Sequence, residues 1–126
     1  MITGLYAAIF ALLQAAMIPW IAKSRMKEKT SLGTGSNALN AKIRTYGNFI
    51  EIIPLALILM LLAELSGAPF WSIHGLGLIM ITSRLLHAKG ILTPPSYGIY
   101  RMVGMIFSIT VFILGAILNL YLYLTL

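Results

Sequence analysis

The charges of this chain are segregated, and that segregation limits its folds more than any other feature. Its nine Lys and Arg residues fall into two windows, Lys23 to Arg44 and Arg84 to Arg101. Three runs contain no Lys, Arg, Asp or Glu: Met1 to Ala22, Leu65 to Ser83 and Met102 to Leu126. A fourth, from Arg44 to Leu65, is apolar apart from its two ends and Glu51. A helix needs about 20 residues to cross roughly 30 Å of hydrocarbon, so four crossings use nearly the whole chain. Only 10% of the residues are charged and 60% are hydrophobic, against about a quarter and about half in a soluble domain. The expectation is all-α: one integral membrane four-helix bundle, with spans at about 2–22, 44–65, 70–87 and 100–122.

The net charge of +6 does not point to nucleic acid, because the basic windows flank membrane spans. The positive-inside rule puts both windows in the cytoplasm, with the link around Ser66 and both termini on the far side. No basic residue precedes the first apolar run, so it reads as a retained anchor rather than a signal peptide. There is no cysteine, which removes disulfides, a protein thiol nucleophile and thiolate metal sites. His74 and His87 lie near opposite ends of the third span and cannot meet in one metal site within a chain.

The connections are read from their breakers. Lys23 to Ala41 is the longest polar stretch and is expected to be a flexible loop. Its Gly33 and Gly35 lack the lysine and the strand context of a phosphate loop. "SGAPF" makes a tight turn, and Pro94 with Pro95 stops any helix in "GILTPPSYGIYR". Trp20 is expected at the membrane interface. Glu64 reads as a solvated helix-end charge.

Three polar constellations stand at the basic ends of the spans. Arg44, Asn48 and Glu51 are spaced i, i+4 and i+7, on one helical face. Two readings stand: an ion pair that fixes packing, or a cation, an amide and a carboxylate that together read a zwitterionic ligand. Arg84 and His87 share a face at i, i+3, either as helix-end residues or as donors to an anion. Arg101 opens the fourth span, where it either snorkels to headgroups or stabilises an anion at the rim.

With these residues in place, the chain resembles the MAPEG family, the membrane-associated proteins of eicosanoid and glutathione metabolism. The resemblance rests on "RTYGNFIEIIP" in span two, "SRLLHAKG" at the end of span three, and Arg101. It is to the small bacterial members, and covers almost the whole chain. It implies a homotrimer in a bacterial inner membrane, with glutathione as co-substrate between subunits near the cytoplasmic face. By position it makes Arg44, Asn48 and Glu51 glutathione ligands, aided by Arg84 and His87. Lys23 or Arg25 takes the place of a further basic ligand. Arg101 matches the arginine credited with stabilising the glutathione thiolate. One departure is plain: Ile91 follows Gly90 where glutathione-binding members carry a tyrosine, and Tyr97 or Tyr100 is the substitute at hand.

The implied function is a glutathione-dependent transferase or peroxidase acting on lipophilic electrophiles that arrive through the lipid. The rival is a non-catalytic membrane protein of the same fold, with a lipid-binding or scaffold role. A small transporter is the weakest reading, since four spans carry few intramembrane charges.

Overall fold

The computed structural model describes residues 1–95 and 98–125. Four helices run in chain order: α1 (Ile2–Lys27), α2 (Asn37–Leu65), α3 (Phe70–Leu92) and α4 (Ile99–Thr125). Each is long and apolar enough to cross a membrane. The described residues contain no strand. α2 and α3 form the middle of the bundle and pack on each other and on both flanking helices; α1 and α4 do not pack together.

The helices overrun the expected spans. α1 continues to Lys27, α3 to Leu92, and α2 begins at Asn37 rather than near Arg44. The apolar runs mark where hydrocarbon is crossed, whereas the helices stop where their caps are. Ser36 supplies the cap of α2: its hydroxyl accepts from the Leu39 N–H at 3.1 Å, satisfying one of the orphan donors of a first turn. Leu39 is buried and anchors that turn. The long flexible loop expected over Lys23 to Ala41 is therefore short, and it is stitched shut. The Glu28 carboxylate accepts from the Ser36 backbone N–H at 3.0 Å and from its hydroxyl. Arg25 donates to the Gly33 carbonyl at 3.0 Å. Gly35 is needed here: its φ is +58°, and a Cβ would lie 2.6 Å from a Glu28 oxygen.

Lipid is as apolar as a core, so helices in a bilayer associate mainly by close packing of small residues and by hydrogen bonds. Both devices are present. A Cβ on Gly77 would collide with the Tyr6 ring, which seats α1 on α3. Phe10 packs edge-on against Phe49, with ring centroids 6.0 Å apart. Asn119 donates to the Leu59 carbonyl at 2.9 Å, joining α4 to α2. Met60, Ile73, Met80 and Val111 fill the centre and are fully buried.

Glu64 corrects the sequence reading. Its carboxylate accepts from the backbone N–H groups of Ile2 and, at 2.8 Å, Thr3, so it caps α1 from across the bundle. A carboxylate at a helix N-terminus meets both the orphan donors and the positive end of the dipole, which a free position in water would not offer. Nearby the Tyr6 hydroxyl lies 3.0 Å from His74 Nδ1 and 3.2 Å from the His74 carbonyl.

Candidate functional site

The basic end of the bundle is built on a seam where α3 and α4 touch backbone to backbone. A Cβ on Gly104 would lie 2.6 Å from the His87 nitrogen and 2.8 Å from the Ser83 carbonyl oxygen. A Cβ on Gly90 would lie 2.6 Å from the Arg101 Cα. These two glycines bring Arg101, at the start of α4, against the last turns of α3.

A buried polar node sits on this seam. Ser83 Oγ donates to the Gly104 carbonyl at 2.8 Å and lies 2.6 Å from Ser108 Oγ. Arg84 Nη2 donates to both hydroxyls, at 3.0 Å to Ser83. Its Nη1 reaches α2 and donates to the Asn48 carbonyl at 3.4 Å. Arg84 thus bridges α2, α3 and α4 from a position only 6% exposed. Arg84 Nε and His87 Nε2 are buried and have no hydrogen-bond partner among the described residues.

Two cavities open around this node. The first, of about 190 Å³, lies between α1, α2 and α3. Its wall is mainly apolar (Leu13, Met17, Trp20, Phe49, Leu85, Leu92), with Arg84 and His87 also part of it. The second is larger, about 640 Å³, and mixed in character. Asn37, Asn40 and Arg44 of α2 line it together with Ile91, Leu92 and Arg101. Asn37, Asn40 and Arg44 follow at i, i+3 and i+7, so the early start of α2 puts all three on one face. Leu92 lines both cavities.

The candidate residues from the sequence are therefore distributed. Arg44 and Arg101 meet in the polar cleft. Arg84 and His87 stand at the apolar cavity. Asn48 touches Arg84 through its carbonyl, while its side-chain amide donates back to the Arg44 carbonyl at 3.1 Å. Glu51 is exposed on the outer face of α2, with no cation within 4 Å among the described residues. Arg25 stands apart, its guanidinium spent on the Gly33 and Ser31 carbonyls, and Lys23 is exposed. Tyr100 stacks under Lys89 Nζ at 4.1 Å; Tyr97 lies outside the described residues. Trp20, expected at the interface, faces Lys42 Nζ at 5.0 Å.

The sequence reading did not reach Ser83, Ser108, the two seam glycines, Asn37 or Asn40. The signal for the seam was legible as Gly104-x3-Ser108, a small-x3-small pair in an apolar span. The asparagines were hidden by the misplaced start of α2.

The four-span order, the R-x3-N-x2-E stripe and the seam that sets Arg101 beside α3 can now be compared with known proteins. The model of the MAPEG family matches residues 3–121. The chain belongs to the MAPEG family. It is 36% identical over 91 residues to the inner membrane protein YecN of Escherichia coli K12, covering 71% of this chain and 70% of that one. The same protein of Escherichia coli O6:H1 matches equally. With family and helices agreed, this MAPEG chain is a multi-pass integral membrane protein. Among the described residues no three His, Cys, Asp or Glu side chains gather as a metal site would need. Beyond the spans, hydrogen bonding from Ser36 holds the Glu28 carboxyl below its ordinary value, with Lys42 and Lys27 adding to the effect.

Proposed function

We propose that this protein is a glutathione-dependent membrane transferase or peroxidase acting on lipophilic electrophiles. The observation that carries the reading is the meeting of Arg44 and Arg101, from distant parts of the chain, in one polar cleft of about 640 Å³. That volume falls within the usual range for small-molecule sites. The two guanidiniums suit the carboxylates of the tripeptide, and Asn37 and Asn40 suit its amides. Arg101 is the group that acts on the sulfur. A cysteine-like thiol titrates near about 8.5, and an adjacent cation favours its charged form. The thiolate, not the thiol, is the nucleophile. An acceptor delivered from the lipid then meets it at a fixed distance from the rim, which replaces a bimolecular encounter by a positioned one.

Glu51 supports a homotrimer. A carboxylate on an outward helix face within a membrane is costly unless it meets protein or water. A neighbouring copy laid on that face covers Glu51, supplies it a cation, and leaves it within reach of the glutathione ammonium. We place the chain in a bacterial inner membrane, as its relative's name says of that protein, with both termini outside the cytoplasm. Cysteines placed at Leu32 and Ser66 test the orientation: the first should label from the cytoplasm alone, the second from outside alone, and the reverse pattern sinks it. Native mass spectrometry in mild detergent should count three copies.

The decisive measurement is ultraviolet thiolate absorbance on adding glutathione to the purified protein at neutral pH. A thiolate band that saturates with binding is expected. Verified binding without that band removes the transferase and peroxidase chemistry and leaves the non-catalytic reading.

A further inference from the structure

We infer that the smaller cavity, between α1, α2 and α3, holds one monovalent inorganic anion of the halide class against Arg84 and His87. The site takes no part in thiol chemistry and stands whether or not glutathione binds in the polar cleft.

The first argument is an uncompensated charge. Arg84 is 6% exposed within a membrane bundle, and no carboxylate lies within 4 Å of it among the described residues. The chain has three acidic residues, and none serves. Glu28 is engaged with Ser36, Glu64 with Ile2 and Thr3, and Glu51 is exposed on the outer face of α2. The Ser83 and Ser108 hydroxyls and the Asn48 carbonyl accept from the guanidinium without neutralising it. Buried charges are ordinarily paired. A small anion from the water side supplies the negative charge that the chain does not.

The second argument is size and donors. The cavity measures about 190 Å³, below the usual range for drug-sized ligands. Arg84 and His87 both belong to its wall. His87 is 2% exposed, and its Nε2, like Arg84 Nε, has no partner among the described residues. With its proton on Nε2, a neutral imidazole donates from that atom. Besides the Trp20 indole, the other polar side chain in this wall is Thr45, and its hydroxyl already donates to the Ala41 carbonyl at 2.9 Å. One positive charge and a pair of spare nitrogens suit a single monatomic acceptor, which a donor can approach from any side. Sulfate or phosphate would bring more charge and more oxygens than this wall answers.

The third argument is the route. Trp20 forms part of the wall, and Lys42 Nζ lies 5.0 Å from the centre of its ring. Lys42 is held there by a 2.6 Å hydrogen bond from Nζ to Ser24 Oγ. A cation therefore stands at the cavity's edge at the basic end of the bundle, with Lys23 and Lys27 following on α1. A concave site under one sign of charge raises the local concentration of counter-ions.

Trp20 is the reporter, since the chain has two tryptophans and Trp71 starts α3 at the opposite end. In a Trp71→Phe background in phosphatidylcholine nanodiscs, with ionic strength held by bulky gluconate, iodide should quench Trp20 with a saturable phase. Chloride should reverse that phase. His87→Phe keeps a ring and removes the donor, and should weaken the saturable phase at least about tenfold, the loss of a charge-assisted hydrogen bond. His87→Gln restores an N–H donor and should recover part of it. Arg84→Gln should abolish it; if that variant does not fold, the two His87 variants decide. Quenching that rises linearly with iodide, and equally in His87→Phe, is collision with the exposed part of the ring, and it overturns the site. Equal reversal by sulfate makes the ligand a polyvalent oxyanion and overturns the halide. Equal reversal by acetate makes it a carboxylate and overturns the halide likewise.

Discussion

The two ends of the bundle spend their polar groups differently. At the end near Glu64 most groups answer one another, although the buried Thr3 hydroxyl has no partner among the described residues. Glu64 caps α1 through Ile2 and Thr3, and Tyr6 meets His74. At the basic end polar capacity is left over. Arg44 lines an open cleft, Glu51 lacks a cation among the described residues, and His87 Nε2 and Arg84 Nε have no partner there. An end whose charged group is answered by backbone donors fastens helices, while an end whose buried Arg and His nitrogens lack partners is arranged for something outside the chain. The same residue types thus carry different meanings at the two ends.

The comparison breaks most violently at the seam that builds the basic end. Gly104→Val drives a branched side chain into the backbone at His87. Overpacking of this kind costs about 3 kcal/mol, which in a chain of this size lowers the thermal midpoint by roughly 10 °C. A scanning fluorimetry midpoint near the parent's would show that the helices separate cheaply there, and that Arg101 is not held where it stands. Next come the charges of the basic end. Glu51→Gln keeps shape and removes charge, and loss of one partner of a poorly solvated pair costs about 2 kcal/mol. Calorimetry should find glutathione binding about thirtyfold weaker by that arithmetic, together with looser assembly. Arg101→Ala should retain most of the binding and lose the thiolate band, because its interaction favours chiefly the charged sulfur. If both variants lose binding alike, the division between holding and activating is wrong.

The Glu64 end should respond in stability alone. Glu64→Gln weakens a cap and should cost about 1 kcal/mol, with glutathione affinity unchanged. A change in affinity would mean the two ends are coupled through the bundle. The smallest effect lies in the loop. Glu28 titrates below its ordinary 4.5 because Ser36 bonds its charged form. A depressed carboxyl pKa adds stability above the unfolded value and loses it as pH falls through the folded one. The loop should therefore loosen only below about pH 4.5. The Glu28 carboxyl titration followed by NMR should rise toward the ordinary value in Ser36→Ala, which removes the hydroxyl and keeps the backbone N–H bond and the two lysines.

Much of this architecture was legible because a bilayer imposes simple rules. Apolar runs, basic windows and breakers were enough for four helices in order. The stripe Arg44, Asn48, Glu51 could be placed on one face from spacing alone. Where helices extend past the hydrocarbon the rules weaken, so α2 was begun too late and Asn37 and Asn40 were missed. Glu64 was misread because its partners are backbone groups 61 and 62 residues away, and no local pattern announces such a bond. Arg84 and His87 were seen as a pair. Their separation from Arg44 and Arg101 into a different cavity depends on how α3 leans on α4, which periodicity does not encode.

Leu92 is a single flexible side chain that forms part of both cavities. A rotamer that gives room to one takes room from the other. Occupants of the two volumes are then thermodynamically linked, and the factor by which either changes the other's dissociation constant is the same in both directions. Replacing Leu92 with alanine, which removes the moving partition along with its own wall contact in each cavity, should bring that factor toward one.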